Sequence, residues 1–331
     1  MKKLKNLKFI LGMVAISVYS IFFLLIQTGV LNPYYGQILI VLGINIILAV
    51  SLNLVIGFTG QLALGHAGFM SIGGYTAAIM SLNYNLPFFA SLIVGGVVSA
   101  VIGFLIGMPI LRLKGDYLAI TTLGFGEIIR VAVVNMDFLG GPRGLAGIPK
   151  KTNFTWVYFI TLFTVIIIYN IIRSPYGRAM LSIREDEIAS ESMGINTTKY
   201  KMMAFVIASF FAGIAGGLYA HQFMFLDPKS FDFLKSFEIL TFVVFGGMGS
   251  LSGSLMATTV LTYLPEVLRT FAEYRMIIYA ASLVMLMLFR PQGIMGNKEI
   301  NFKSIKEFIL CKLLGKCKKK GGAYNATTEG Q

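Results

Sequence analysis

Apolar residues run through this chain in long blocks separated by short polar breaks. A hydrocarbon core about 30 Å thick is crossed by about 20 helical residues. Ten stretches match that length or approach it: Phe9–Val30, Tyr34–Ile56, Gln61–Leu82, Leu86–Ile110, Tyr117–Val134, Phe154–Ile172, Met202–His221, Phe237–Met248, Leu251–Leu268 and Arg275–Phe289. The eighth is short, and the pair Phe237–Leu268 can equally be a re-entrant segment plus one span. The pattern predicts an all-α polytopic membrane fold of about ten transmembrane helices. The start, MKKLKNLK before Phe9–Val30, resembles a signal peptide. Its apolar run exceeds the usual 7–15 residues, roughly, and no small-x-small cleavage site follows, so a retained first helix is expected.

One long polar insert interrupts the blocks: Arg173–Tyr200, RSPYGRAMLSIREDEIASESMGINTTKY. Four of its acids, Glu185, Asp186, Glu187 and Glu191, fall within seven residues. Leu181–Met193 is predicted to form about three helical turns, and Gly194 is a good stop. A short polar helix between two spans is something a soluble partner can grip. Arg178 and Arg184 beside the acids add a charge-patterned docking surface. The residues expected to couple to that partner are Arg184, Glu185, Glu187, Glu191 and Gly194.

Composition agrees with the pattern: 56% of the 331 residues are hydrophobic and 13% charged, against about 25% charged in soluble domains. The net charge of +13 raises the possibility of nucleic acid. The charges sit between and after apolar runs, so the partner they imply is membrane lipid, not nucleic acid. With ten alternating spans and a cytosolic N-terminus, 20 of the 28 Lys and Arg fall on the cytosolic side and seven outside, Arg130 lying within a span. That bias predicts a multi-pass protein of the bacterial cytoplasmic membrane with both termini and the insert in the cytosol. Residues 1–296 form the transmembrane domain, with 173–200 as its cytosolic loop. Residues 297–331 are a basic cytosolic tail, partly disordered, in which Phe302–Leu314 can lie as an amphipathic helix on the inner leaflet. Its Cys311 and Cys317 read as reduced thiols, or as lipidation sites.

Two glycine-rich stretches fall where helix is expected. In GFTGQLALGHAGFMSIGGYTA, Gly57–Ala77, glycines crowd a span that also carries Gln61 and His66. In FGGMGSLSGS, Phe245–Ser254, Gly246, Gly247 and Gly249 interrupt short apolar runs. Small-residue packing and a tight turn explain them. So do discontinuous helices lining a translocation path, with Gly60, Gln61, His66, Gly246, Gly247 and Gly249 on it. Glu127 and Arg130 are three apart on one face of the fifth span and form an intramembrane ion pair, structural or gating. The turn-rich stretch GGPRGLAGIP, Gly140–Pro149, is a structured outer loop. His66 and His221 are the two histidines, with neither cysteine near them in sequence, so no metal, cofactor or catalytic constellation is called for.

Taken with LRLKGDYLAITTLGFGEIIR, RSPYGRAMLSIREDEIASESMGI and YRMIIYAASLVMLMLFRPQGIMG, these stretches resemble, in this order, the M-type permeases of branched-chain amino-acid ABC importers. Residues 187–194 resemble that family's version of the loop that couples to the ATPase. The resemblance implies two ABC ATPase subunits, a second related permease and an external substrate-binding protein. The sequence holds no GxxxxGK[ST], so ATP hydrolysis is expected in separate subunits rather than here. The competing reading is an ion-coupled secondary amino-acid transporter, disfavoured by the scarcity of unpaired intramembrane carboxylates.

Overall fold

The computed structural model describes residues 32–268 continuously, and outside them 17, 19–25, 28, 280, 281, 284 and 293. The expected spans Phe9–Val30 and Arg275–Phe289 lie mostly outside the described residues, and the tail 297–331 lies wholly outside them. Within them the chain is a helical bundle: α1 Pro33–Asn53, α2 His66–Leu82, α3 Phe88–Ile110, α4 Asp116–Val134, α5 Phe154–Arg173, α6 Pro175–Glu185, α7 Glu187–Ser192, α8 Thr197–Phe223, α9 Phe233–Gly246 and α10 Leu251–Val267. Five stretches are long and apolar enough to cross a bilayer: Pro33–Phe58, Phe88–Ile110, Asp116–Val134, Phe154–Arg173 and Thr197–Phe223. The 17 residues of α2, 14 of α9 and 17 of α10 fall short of the roughly 20 that a perpendicular crossing takes.

Apolar all round, α1 is the buried helix of the bundle: Ile44, Ile47, Leu48 and Leu52 are at most 2% exposed. Beside it, α2, α3 and α8 meet backbone to backbone. A Cβ on Gly95 would lie 2.6 Å from the carbonyl oxygen of Gly73, and one on Gly213 would lie 2.6 Å from Ser99 Cβ. Ser99 Oγ donates to the carbonyl of Phe69 at 2.6 Å across the same junction. Burial of apolar area cannot drive association in lipid, so close packing and interhelical hydrogen bonds must. On its other face α3 presents Phe89, Ile93, Val97, Val101, Leu105 and Met108 outward, a stripe at helical spacing suited to lipid tails.

Loops sort into two ends. At one, Lys151 Nζ donates to Ser81 Oγ at 3.1 Å. There too β1 Leu145–Ala146 pairs antiparallel with β2 Phe225–Leu226, Tyr75 OH donates to the Leu226 carbonyl at 3.2 Å, and Tyr34 OH donates to Glu266. The opposite end gathers the turn after α1, the α3–α4 loop, the insert and the α9–α10 turn. Successive long helices from α1 to α10 therefore alternate in direction.

Three boundaries differ from the hydrophobic pattern. The third stretch becomes helical at His66 instead of Gln61, because residues 60–65 are irregular. The eighth is Phe233–Gly246, starting earlier because the Asp232 side chain caps it by accepting from Lys235 N. The insert is two helices, not one. Asp186 leaves the helical region (φ −156°, ψ 111°) and its side chain accepts from Ala189 N, ending α6 and starting α7. An N-cap of that kind stabilises a helix start by about 1 kcal/mol.

Candidate functional site

The end that carries the insert holds the densest polar arrangement. It begins where α1 fails. After Asn53 the helix widens into a π turn, Leu54–Phe58, and the chain then leaves helix altogether. The last carbonyls of a helix lack partners within it. Here Val55 O accepts from Thr59 Oγ1 at 2.6 Å and from Gln61 N at 3.2 Å. Gly57 O accepts from Arg184 Nη1 at 2.7 Å, a contact between residues 127 apart. A guanidinium suits this position because the C-terminal end of a helix carries partial negative charge. Hydrogen bonds to charged groups contribute about 1.5–3 kcal/mol.

The α9–α10 turn closes the same site. Gly249 N donates to Asn53 Oδ1 at 3.0 Å, and Asn53 Nδ2 donates to the Ser250 carbonyl at 3.0 Å. Gly249 has φ +86° and Gly60 has φ +71°, a region costly for other residues. A side chain on Gly249 would occupy the position of Arg184 Nη1. One on Gly60 would lie 3.3 to 3.5 Å from the Arg184 stem. Both glycine-rich stretches and the insert thus converge on one guanidinium.

Of the path residues proposed from sequence, Gly60 and Gly249 lie at this point. Gln61 is buried beside it, its Oε1 accepting from Thr59 Oγ1 at 3.4 Å. His66 is buried at the start of α2, with Nε2 3.0 Å from Ser51 Oγ on α1. Gly247 (φ +101°) makes the turn, and Gly246 backs onto Gly253 and Ser254, joining α9 to α10.

The coupling residues divide. Arg184 faces Gly57, with 22% of its side chain exposed. Glu187 Oε1 pairs with Lys201 Nζ at 2.7 Å, and Glu187 Oε2 lies 3.7 Å from Lys114 Nζ, binding α7 to α8 and to the α3–α4 loop. Glu191 Oε1 accepts from Thr197 Oγ1 at 2.6 Å. Gly194 ends α7 with φ +84°. Glu185 stays outward, with a side-chain exposure of 75% despite lying 3.7 Å from Arg184 Nε. The face left to solvent is apolar at its centre, with Ile188 73% and Met193 83% exposed and Ala189 and Ser192 beside them. Asn53, Ser51 and the exposed Met193 were not singled out from sequence. The first two were detectable as polar residues inside an apolar span.

The Glu127–Arg130 pair forms apart from this site. Arg130 Nε lies 2.7 Å from Glu127 Oε2, while Glu127 Oε1 accepts from Phe233 N at 3.1 Å, at the first residue of α9. Glu127→Ala leaves both donors without this acceptor and, with neither donor buried, is expected to destabilise the bundle by about 1 kcal/mol. Glu127→Gln, which keeps an acceptor, should cost less in a detergent melting experiment.

Fold and site together define a multi-pass α-helical membrane protein with a folded polar insert seated on a helix break. The profile of the family described as branched-chain amino acid transport system / permease component matches residues 34–289, and the chain belongs to that family. It is similar to the high-affinity branched-chain amino acid transport system permease protein LivM of Salmonella typhimurium, with 39% identity over 271 residues, 71% of this chain and 64% of the relative. The LivM protein of Escherichia coli K12 is 38% identical over 68% of this chain and 61% of its own length. LivH of Salmonella typhimurium, a permease protein of the same transport system by name, is 24% identical over 56% of this chain and 60% of its own. The chain therefore spans under two thirds of the length of these two LivM relatives. No solved structure matches it significantly.

Proposed function

We propose that this chain is a permease subunit of an ATP-driven importer that moves branched-chain amino acids into the cell. The observation that carries the reading is the insert itself. Its inner side is fixed by Lys201, Lys114, Thr197 and Gly57, and its outer side presents Ile188, Ala189 and Met193 at the end of the bundle. A solvated loop has no need of two capped helices and two ion pairs. A surface that must transmit force from a partner does.

In this reading two ABC ATPase subunits dock on α7, on the cytosolic side given by the Lys and Arg bias. A second related permease completes the path, and an external binding protein delivers the amino acid at the end that carries the β1–β2 pair. The path runs by the break at residues 60–65 and the Gly247–Gly249 turn, with Gln61 and His66 supplying polar groups. Hydrolysis resides in the ATPases, and this chain contributes no catalytic residue.

Ile188→Asp combined with Met193→Asp places charge in the apolar centre of the docking face. It is expected to cut ATPase co-purified with the permease at least tenfold, and ATP-dependent leucine uptake with it. A complementary measurement places one cysteine at Ile188, in a chain carrying Cys311→Ser and Cys317→Ser, and cross-links it to the ATPase. Contacts made through the loop at Arg112–Lys114 alone would move the docking site off the insert.

A further inference from the structure

We propose that Arg184 is a positioning residue that ties the driven insert to the membrane-embedded helix break, so that displacement of α6 and α7 is passed to residues 57–60 and to the α9–α10 turn. The proposal rests on the insert being the driven element, and goes beyond it by naming the link and its direction.

Three features of the structure carry it. The guanidinium points inward, away from the face a partner would touch, and donates to Gly57 O at 2.7 Å. That carbonyl belongs to the π turn Leu54–Phe58, where α1 ends and the chain turns irregular, a place able to shift without breaking regular helix. Glycines meet the two ends of the Arg184 side chain. Gly249 meets its Nη1, and Gly60 meets the stem, each with a backbone conformation that favours glycine. Asn53 then binds the Gly249–Ser250 backbone, so the α9–α10 turn is held to the same point. Movement of the insert must either carry Gly57 and Gly249 along or break the Arg184 bond. Other contacts of the insert, from Glu187 to Lys201 and Lys114 and from Glu191 to Thr197, hold it to the start of α8 and the α3–α4 loop. None of these three polar contacts reaches the break.

The test uses the complete transporter in proteoliposomes and reads leucine moved per ATP hydrolysed. Arg184→Gln is expected to lower that ratio at least tenfold in complexes that still contain the ATPase. Arg184→Lys keeps one donor for Gly57 O and should recover part of it. Gly249→Ala keeps the arginine in the chain but displaces its Nη1 by filling that space, at a backbone position strained for alanine, and should lower the same ratio independently. A ratio within twofold of the wild type in both Arg184→Gln and Gly249→Ala overturns the tether. So does loss of the ATPase from Arg184→Gln complexes alone, since Arg184 would then belong to the docking face. The wild-type complex is measured first: if it shows no ATP-dependent uptake, the permease reading itself fails, before any variant is compared.

Discussion

Gly73→Leu is expected to leave no monodisperse protein extractable from the membrane. Gly73 sits where α2, α3 and α8 touch through their backbones. A Cβ there would fall inside the backbone of Gly213. On its other side the Gly73 carbonyl lies 2.6 Å from where a Cβ on Gly95 would be. Neither neighbour is the free end of a flexible side chain, so the helices must separate. Separation also breaks the Ser99 bond to the Phe69 carbonyl. Overpacking in a well-packed core costs about 1–3 kcal/mol and sometimes more. A whole leucine between two backbones belongs at or above the top of that range. Size-exclusion chromatography of detergent extracts checks it. Gly124→Leu is the control, since a Cβ at Gly124 meets nothing within 4 Å and leucine is the better helix former. Equal yields of the two variants would show that the three-helix junction does not hold the bundle together.

Hydropathy made the stretches matching α1 to α5 and α8 to α10 legible, because lipid demands continuous apolar helix and tolerates few exceptions. It failed at residues 61–65, QLALG, which read as apolar and small yet run irregularly. One tertiary partner here is Thr122, whose Oγ1 accepts from Leu64 N at 2.9 Å. The break at Asp186 was legible in principle, since an aspartate three residues before Ala189 is an N-cap pattern. The cluster of four acids masks it, because as charge alone Asp186 is indistinguishable from its neighbours. Reading them as one outward cluster also missed that Glu187 turns to Lys201, whose side chain is 8% exposed. The convergence of Gly57, Arg184 and Gly249 had no local signature at all. It joins three segments far apart in sequence, and a single chain offers no pattern from which that pairing can be read.

Asn53→Leu is the change expected to affect transport most for its cost in stability. Leucine shares the branching of asparagine and favours helix, so α1 should form up to the π turn, with the α9–α10 turn pushed outward by the bulkier methyl groups. What disappears is the double contact with the α9–α10 turn. Gly249 N, which is half-buried, loses its acceptor, and a donor left without a partner costs about 1–3 kcal/mol at most. The Ser250 carbonyl also loses Asn53 Nδ2, but it still accepts from Ser254 N at 3.1 Å and Ser254 Oγ at 3.0 Å, so it adds little. The melting temperature should therefore fall by only a few degrees. Uptake should fall further, at least tenfold in vesicles holding the complete transporter. The turn carries two glycines with positive φ, Gly247 and Gly249, and Asn53 fixes its register against the break in α1. Once it is free to shift, Gly249 no longer packs on Arg184, and the insert and the two glycine-rich segments cease to move as one unit. Full uptake in Asn53→Leu at wild-type expression would show that the α9–α10 turn need not be held to α1 for transport.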